Sequence, residues 1–254
     1  MPVSPTSQRF YKTATASPAD GGEGGSGFRV RLDGRPILTP GGRPLILPAE
    51  ALAEAIAAEW QRQTKRIDVT SMPFTRLAAT AVDRVAEGKP SVVEMLLSYA
   101  GADALCYRAE EPADLVARQH ECWDPLLDWA ADRLGARLLV TCGIIPVAQP
   151  EPSITALREA IEAVDSWELT ALAVIAQACG SLVLAIALAC GRIDAREAFA
   201  LSQLDEIYQM ERWGDDAEAA RRQRALLDDI HEAWRFMKLA HGRAEDQHAA
   251  VEEA

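Results

Sequence analysis

No C-x-x-C pair occurs among the five cysteines, Cys106, Cys122, Cys142, Cys179 and Cys190, which excludes a zinc knuckle and a thioredoxin-like redox pair. Their odd number, wide spacing and mostly apolar surroundings fit buried free thiols in a reducing compartment. Histidine is scarce: His120, His231, His241 and His248 show no His-Glu-x-x-His or other metal-ligand spacing. A G-x-S-x-G elbow and a Walker-type lysine loop are also missing. Positive charge is in deficit, with 26 Lys and Arg against 38 Asp and Glu for a net −12. That balance repels nucleic-acid phosphates and anionic membrane surfaces. Met1 to Pro18 contains no apolar core of the secretory type, so no signal peptide is read there. Two acid pairs have structural explanations: Asp215-Asp216 suits a helix start, where the dipole favours negative charge, and Asp228-Asp229 suits a helix surface. The residues make no positive case for catalysis, and no cofactor site or metal site is read from them.

Long uncharged runs are rare, and the one present needs a membrane test. Leu169 to Cys190 has the length of a bilayer span. It is rich in alanine, carries Gln177, Gly180 and Ser181 near its middle, and lacks flanking aromatic belts. Asp165-x-x-Glu168 before it resembles a capping box. The run therefore reads as the buried central helix of a helical domain, without stable membrane insertion.

What is present divides into two textures, and the fold class expected is α+β: a small N-terminal domain, 1–89, with antiparallel strands plus a helix, then a larger, mainly α-helical domain, 90–242. Residues 243–254 read as a flexible tail. In the first part Phe28, Val30 and Leu32 alternate with arginines, the period of a half-buried strand. Asp33-Gly34 supplies a tight turn before Pro36-Ile37-Leu38, and Gly41-Gly42 another before Leu45-Ile46-Leu47. A helix over about 48–63 stacks Leu52, Ile56 and Trp60 on one face. The segment 21–27 matches G-x-G-x-x-G formally, but no strand precedes it and no helix follows, so it is a flexible glycine loop.

The second part reads as successive helices. Ser91-x-x-Glu94 starts one and Pro112 opens another, which Pro125 should kink or restart. Residues 137–142 suggest a short strand, and helices follow over about 153–164, 166–190, 194–213 and 215–240. Asp194-x-x-Glu197 is a further capping box. The last helix places Leu226, Ile230, Trp234 and Met237 on one stripe and Arg221, Arg222 and Arg224 on a solvated side.

The segment 204–214 is the most unusual. Leu204, Tyr208 and Glu211 fall at i, i+4 and i+7, which sets a carboxylate on an apolar stripe, while Asp205, Gln209 and Arg212 read as a solvated face. Gly214 stops the helix. An acid on such a stripe is either paired internally or held for a partner.

Six motifs then occur in order: Arg9-Phe10-Tyr11-Lys12 with Val30-x-Leu32-Asp33-Gly34-Arg35 and Leu38-Thr39-Pro40; Glu59-Trp60-x-x-Gln63; Met72-Pro73; Thr80-Ala81-x-Asp83; Asp103-x-Leu105-Cys106-Tyr107-Arg108; and Gln209-x-Glu211-x-Trp213-Gly214. In these the chain resembles the assembly-chaperone family that binds the α subunit of the F-type ATP synthase catalytic sector. The resemblance implies two domains, no catalysis and no obligatory cofactor. Its partner would be the unassembled α subunit, shielded until displaced during assembly, and the chaperone a monomer. It also implies a bacterial cytoplasm, or a mitochondrial matrix after removal of a targeting sequence.

On that resemblance Glu211, with Glu206 one turn before it, is the candidate polar anchor, and Trp213 and Tyr208 add contact area at or beneath the patch. The competing reading pairs Glu211 internally with Arg221, Arg222 or Arg224. Trp60 and Trp213, on helical stripes, read first as packing residues, and Trp60 and Gly214 as structural ones. The alternative is a carboxylate-based enzyme with a cleft between the two domains, using Glu211 as general acid or base.

Overall fold

The alternation of Phe28, Val30 and Leu32 builds strand β2 (Phe28–Leu32), which pairs antiparallel with β1 (Ala14–Pro18) on one side and β3 (Arg35–Pro36) on the other. Val30 and Leu32 point into the core, and the intervening arginines do not. The hairpin turns at Asp33 and Gly34, whose φ of 46° and 81° are the paired positive values that such a tight turn requires. The Asp33 carboxylate also accepts from the Lys12 and Thr13 N–H groups, at 3.1 and 2.9 Å, tying the turn to the chain entering β1. The third expected strand shrinks to Leu47, which exchanges two backbone hydrogen bonds with Phe28.

The computed structural model describes residues 8–19, 27–143, 145–214 and 217–242. Most of the glycine loop 21–27, the acid pair 215–216 and the tail 243–254 lie outside them. The described chain forms two units. One holds the residues through Glu87 together with Ser166–Glu168 and those from Arg235 onward. The other holds Gly88–Asp165 and Leu169–Trp234.

In the first unit α1 (Glu50–Arg62) lies on β1 and β2 and buries Leu52, Ile56 and Trp60. The Tyr11 hydroxyl donates to the Trp60 carbonyl at 2.7 Å, and the two rings meet edge-on at 5.7 Å. Glu59, fully buried, caps the next helix, α2 (Pro73–Thr80): its carboxylate accepts from Phe74 N–H at 2.7 Å and from Thr75 N–H at 2.8 Å. Pro73 occupies the opening turn, where its missing N–H leaves nothing unsatisfied. A π-helical turn over 81–85 follows, then α3 (Ala86–Gly101), kinked at Gly88. Within the π turn Asp83 accepts from Gly41 N–H at 2.8 Å and from the Thr39 hydroxyl at 2.6 Å. The start that Ser91-x-x-Glu94 suggested is absent: the helix is already under way, and Glu94 instead pairs with Arg158 at 2.5 Å.

The second unit continues through β4 (Tyr107–Arg108), α4 (Ala113–Leu134), β5 (Thr141–Cys142) and α5 (Glu151–Glu162). β4 and β5 pair in parallel, so the expected strand over 137–142 reduces to its last two residues. Pro125 does not divide α4. It and Glu121, whose carbonyl loses its partner, both lie on the exposed side, where water can satisfy that oxygen. The long apolar run is two helices, α6 (Ser166–Cys179) and α7 (Leu182–Ala189). Gly180, with φ 63°, breaks the first, and the Ser181 hydroxyl caps the second by accepting from Leu184 N–H at 3.0 Å. No helix among the described residues is long and apolar enough to cross a membrane. Leu182, Leu184 and Leu188 are fully buried, each stabilising the unit by about 2 kcal/mol. Around α7 pack α4 and α8 (Ala195–Ser202), the latter opened by the Asp194–Glu197 capping box as its sequence predicts. The expected single helix over 194–213 breaks at Gln203 into α8 and α9 (Leu204–Trp213), and α10 (Ala217–Ala240) follows.

The cysteines are all free, as expected, but burial is not general. Cys106 and Cys179 are buried, which pushes both thiols up to about 12 and leaves them inert, whereas Cys142 and Cys190 are exposed.

Candidate functional site

α9 is a short helix that uses opposite sides for different purposes. Gly214 ends it with φ 86° and ψ 167°, a backbone conformation open only to glycine without strain, and its N–H closes the last turn on the Met210 carbonyl at 2.9 Å. Leu204 and Tyr208 are buried on the side that meets α4 and α8. Glu211, the third member of that stripe, sits at its open end with a side chain 53% exposed. The stripe therefore runs out before reaching it.

The face of α9 toward α4 is a ladder of polar contacts. Buried Gln119 donates to Asp205 at 2.7 Å while its amide oxygen accepts from Ala109 N–H at 2.8 Å. The Tyr208 hydroxyl donates to Asp114 at 2.8 Å, and Arg212 pairs with the other oxygen of Asp114 at 2.5 Å. The Arg212 guanidinium lies over the Tyr208 ring at 4.8 Å. Arg118 holds Glu211 through both carboxylate oxygens, at 2.7 and 3.2 Å. The hydrogen bond from Arg118 keeps the Glu211 carboxyl below its ordinary range. The Tyr208 hydrogen bond, then Arg212, does the same for Asp114. Burial, helped by donation to Asp114, pushes the Tyr208 hydroxyl up.

Two expectations change here. Asp205 is half-buried and bonded to Gln119, so it is not on a solvated face, whereas Gln209 and Arg212 are exposed as expected, although Arg212 reaches across to Asp114 on α4. The internal partner of Glu211 is Arg118, and not an arginine of the last helix. Arg221 and Arg224 donate to carbonyls of their own helix, those of Ala217 and Ala220. Asp114 and Arg118 were the residues that sequence reasoning missed. At i, i+4 on one helix they look like a local ion pair, yet each reaches across to α9.

On its other side α9 forms an open groove of about 580 Å³ with α10. Glu206, Met210 and Trp213 line one wall and Arg222, Gln223 and Leu226 the other. The Gln223 side-chain amide donates to the Met210 sulfur at 3.0 Å and holds the two walls together. Trp213 is 76% exposed, so the expectation that it packs in a core fails: the helix ends at once in Gly214, and no element among the described residues covers the ring. Trp60, in contrast, is 4% exposed. Of the four residues singled out on α9, Glu206 and Trp213 share the groove, Tyr208 is buried against α4, and Glu211 stands at the rim on the α4 side.

The acids of the other motifs behave differently. Asp33, Glu59, Asp83 and Asp103 each accept from backbone N–H groups elsewhere in the fold. Asp103 is fully buried and accepts from Leu105 and Val183 N–H, both at 3.1 Å, at the start of α7. Burial pushes its carboxyl up to about 6 against the pull of those donors and the Ser181 hydroxyl. Glu211, half exposed, alone in this set accepts from no backbone N–H among the described contacts and is held by a side chain only, that of Arg118. As for metals, no cluster of three or more His, Cys, Asp or Glu with suitable placement occurs among the described residues.

Comparison with known proteins gives a consistent picture. The family model described as ATP12 chaperone protein matches residues 8–131. The chain is similar to the crystal structure of Atp12 from Paracoccus denitrificans, at 44% identity and a TM-score of 0.85, covering 92% of this chain and 98% of that one. It is similar also to the Atu1473 protein of Agrobacterium tumefaciens, at 38% identity and a TM-score of 0.86, over 92% of this chain and 86% of that one. The protein atp12, mitochondrial, of Schizosaccharomyces pombe is 28% identical over 241 residues, 90% of this chain and 77% of its own length.

Proposed function

This chain belongs to the ATP12 chaperone family, and from that premise we propose that it binds the unassembled α subunit of the F-type ATP synthase catalytic sector, covers its assembly surface and is displaced as the sector forms. Family membership supports the coarser part of this reading, chaperoning in ATP synthase assembly. The α subunit as client, and α9 as the element that meets it, are the finer part.

The observation that carries the finer part is the contrast among the motif acids. Four of them are taken up by the backbone of their own fold, where they hold turns and cap helices. Glu211 is not, and the exposed Trp213 lies two residues further on the same helix. An exposed tryptophan beside a charge is the composition of a binding hot spot, the ring giving area and the charge giving register. A chaperone must also let go. Contacts made through one aromatic group and rim charges, without a broad apolar face, allow the true partner subunit to compete. The enzymatic alternative has less support, because Glu211 does not line the groove and its carboxylate is already engaged by Arg118. The compartment proposed is a bacterial cytoplasm, since the bacterial relatives match at higher identity than the fungal mitochondrial one. The active form is proposed to be a monomer.

Co-purification with separately expressed α subunit tests the reading. The natural chain retains α, and Glu211→Lys, shown folded by circular dichroism, retains much less. Equal retention by the two removes Glu211 from the interface, and no retention by either removes α as the client.

A further inference from the structure

The Arg9-Phe10-Tyr11-Lys12 motif has no part in α9 or its groove, yet it creates the most exposed aromatic side chain of the first unit. Phe10 is 64% exposed. It is held there by construction. The Arg9 guanidinium donates to four backbone carbonyls, those of Tyr11 at 3.0 Å, Lys12 at 2.8 Å, Gln61 at 3.3 Å, and Gln63. Gln8 pairs antiparallel with Arg66, and Arg9 N–H donates to the Lys65 carbonyl at 3.1 Å. The segment is thus fastened along the chain that leaves α1. Phe10 stacks edge-on against Tyr11 at 5.4 Å, and Tyr11 in turn against buried Trp60, so an aromatic column runs from the core to the surface.

Cations lie on the same paired segments as that ring. Lys12, Arg62, Lys65 and Arg66 are exposed, and Lys65 and Arg66 make no ion pair among the described residues. Two acids tied to these segments are already engaged: Asp33 accepts from Lys12 and Thr13 N–H, and Asp68 accepts from the Thr70 hydroxyl and N–H. The sign of this patch opposes that of the whole chain. The described residues of the first unit carry thirteen lysines and arginines against eight acids, and those of the second carry twelve against twenty-two. A basic patch on a chain of net −12 is a local arrangement and not a general bias.

We propose that Phe10, with Lys12, Lys65 and Arg66, forms a second docking surface, which takes an acidic protein segment bearing apolar side chains. The fixed ring supplies contact area with little loss of side-chain freedom, and the flanking cations select negative charge and speed encounter. Nucleic acid is disfavoured as the occupant because the remainder of the chain would repel it. This surface belongs to the first unit and does not depend on the reading of α9.

The test is fluorescence anisotropy of a labelled Asp/Glu-rich peptide containing leucines, titrated with the full chain. The natural chain binds it saturably and more weakly as salt rises. Lys65→Glu combined with Arg66→Glu, and separately Phe10→Ser, each weaken binding about tenfold or more. Both alter exposed groups, so circular dichroism and thermal midpoints stay close to those of the parent, and Phe10→Ser decides the matter if the charge reversal misfolds. Glu211→Lys leaves peptide binding unchanged, which separates this surface from the α9 site. Failure of the peptide to bind, equal binding by the variants, or preference for single-stranded RNA or phosphatidylglycerol vesicles overturns the proposal.

Discussion

Arg118 of α4 grips Glu211 of α9 with two nitrogens, one on each carboxylate oxygen, and both side chains remain open to solvent. A pair of this kind does little for stability, since water screens it, but it fixes where the carboxylate stands. The arrangement makes Arg118 a positioning group for Glu211. Glu211 therefore titrates below the ordinary glutamate range in the natural chain and returns toward it in Arg118→Met. Carbon-detected NMR titration of the Glu211 carboxyl measures this, and an unchanged titration would show that the pair does not persist in solution.

Trp213 separates surface from core most cleanly. At 76% exposure, Trp213→Ala should leave the unfolding midpoint within the error of the parent while weakening client binding. A clear drop in thermal midpoint would instead mean that the ring packs on the fold.

Trp60 is the opposite case. Its ring is buried against Tyr11, so Trp60→Arg loses a full aromatic contact and introduces a charge with no partner. A loss of about 3–5 kcal/mol or more is expected, enough to unfold the first unit. Tyr11→Phe removes only the hydroxyl that donates to Trp60 and should cost about 1 kcal/mol. Urea unfolding followed by tryptophan fluorescence ranks the two variants, and a Trp60→Arg protein with its midpoint intact would contradict the assignment.

The strong patterns of the sequence carried through, and the weak ones did not. Phe28–Leu32 and the Leu52–Ile56–Trp60 stripe declare their elements because each has a single period and one buried face. β1 is silent because Ala14–Pro18 contains no large apolar residue; its pairing is supplied by β2. The break between α6 and α7 rests on Gly180 and Ser181, which in an alanine-rich run look like tolerated small residues. On α9, periodicity placed Leu204 and Tyr208 correctly but could not reveal that Asp114, Arg118 and Gln119 wait on α4. Polar residues opposite polar residues across two helices leave no trace in either helix alone.

Asp103 gives a pH test with a definite sign. Its carboxyl is raised from 3.8 to about 6 in the fold by burial, so the neutral acid is the form the fold prefers. Its contribution to stability is complete below about pH 4 and is lost as pH rises through about 6, a change of roughly 3 kcal/mol. Asp103→Ala should therefore be more destabilising at about pH 4 than at about pH 7.5. Denaturant titrations at the two pH values check this, and the reverse order would show that the donors at the start of α7 outweigh burial.

Gly41 tests the π turn. A methyl group there would come 2.7 Å from the nearer Asp83 carboxylate oxygen, so Gly41→Ala must push Asp83 away from its bond with the residue-41 N–H. The expected loss is about 1–3 kcal/mol, and Asp83→Ala combined with Gly41→Ala should cost little more than Asp83→Ala alone. Additive losses in that double-mutant cycle would contradict the contact.

The central claim is temporary shielding of an unassembled subunit, and displacement tests it most directly. A preformed complex of this chain with isolated α subunit is mixed with purified β subunit, and the products are separated by size with light scattering. The account predicts that this chain leaves as a monomer while α and β associate. A stable assembly holding all three chains, or α that never joins this chain at all, would contradict it.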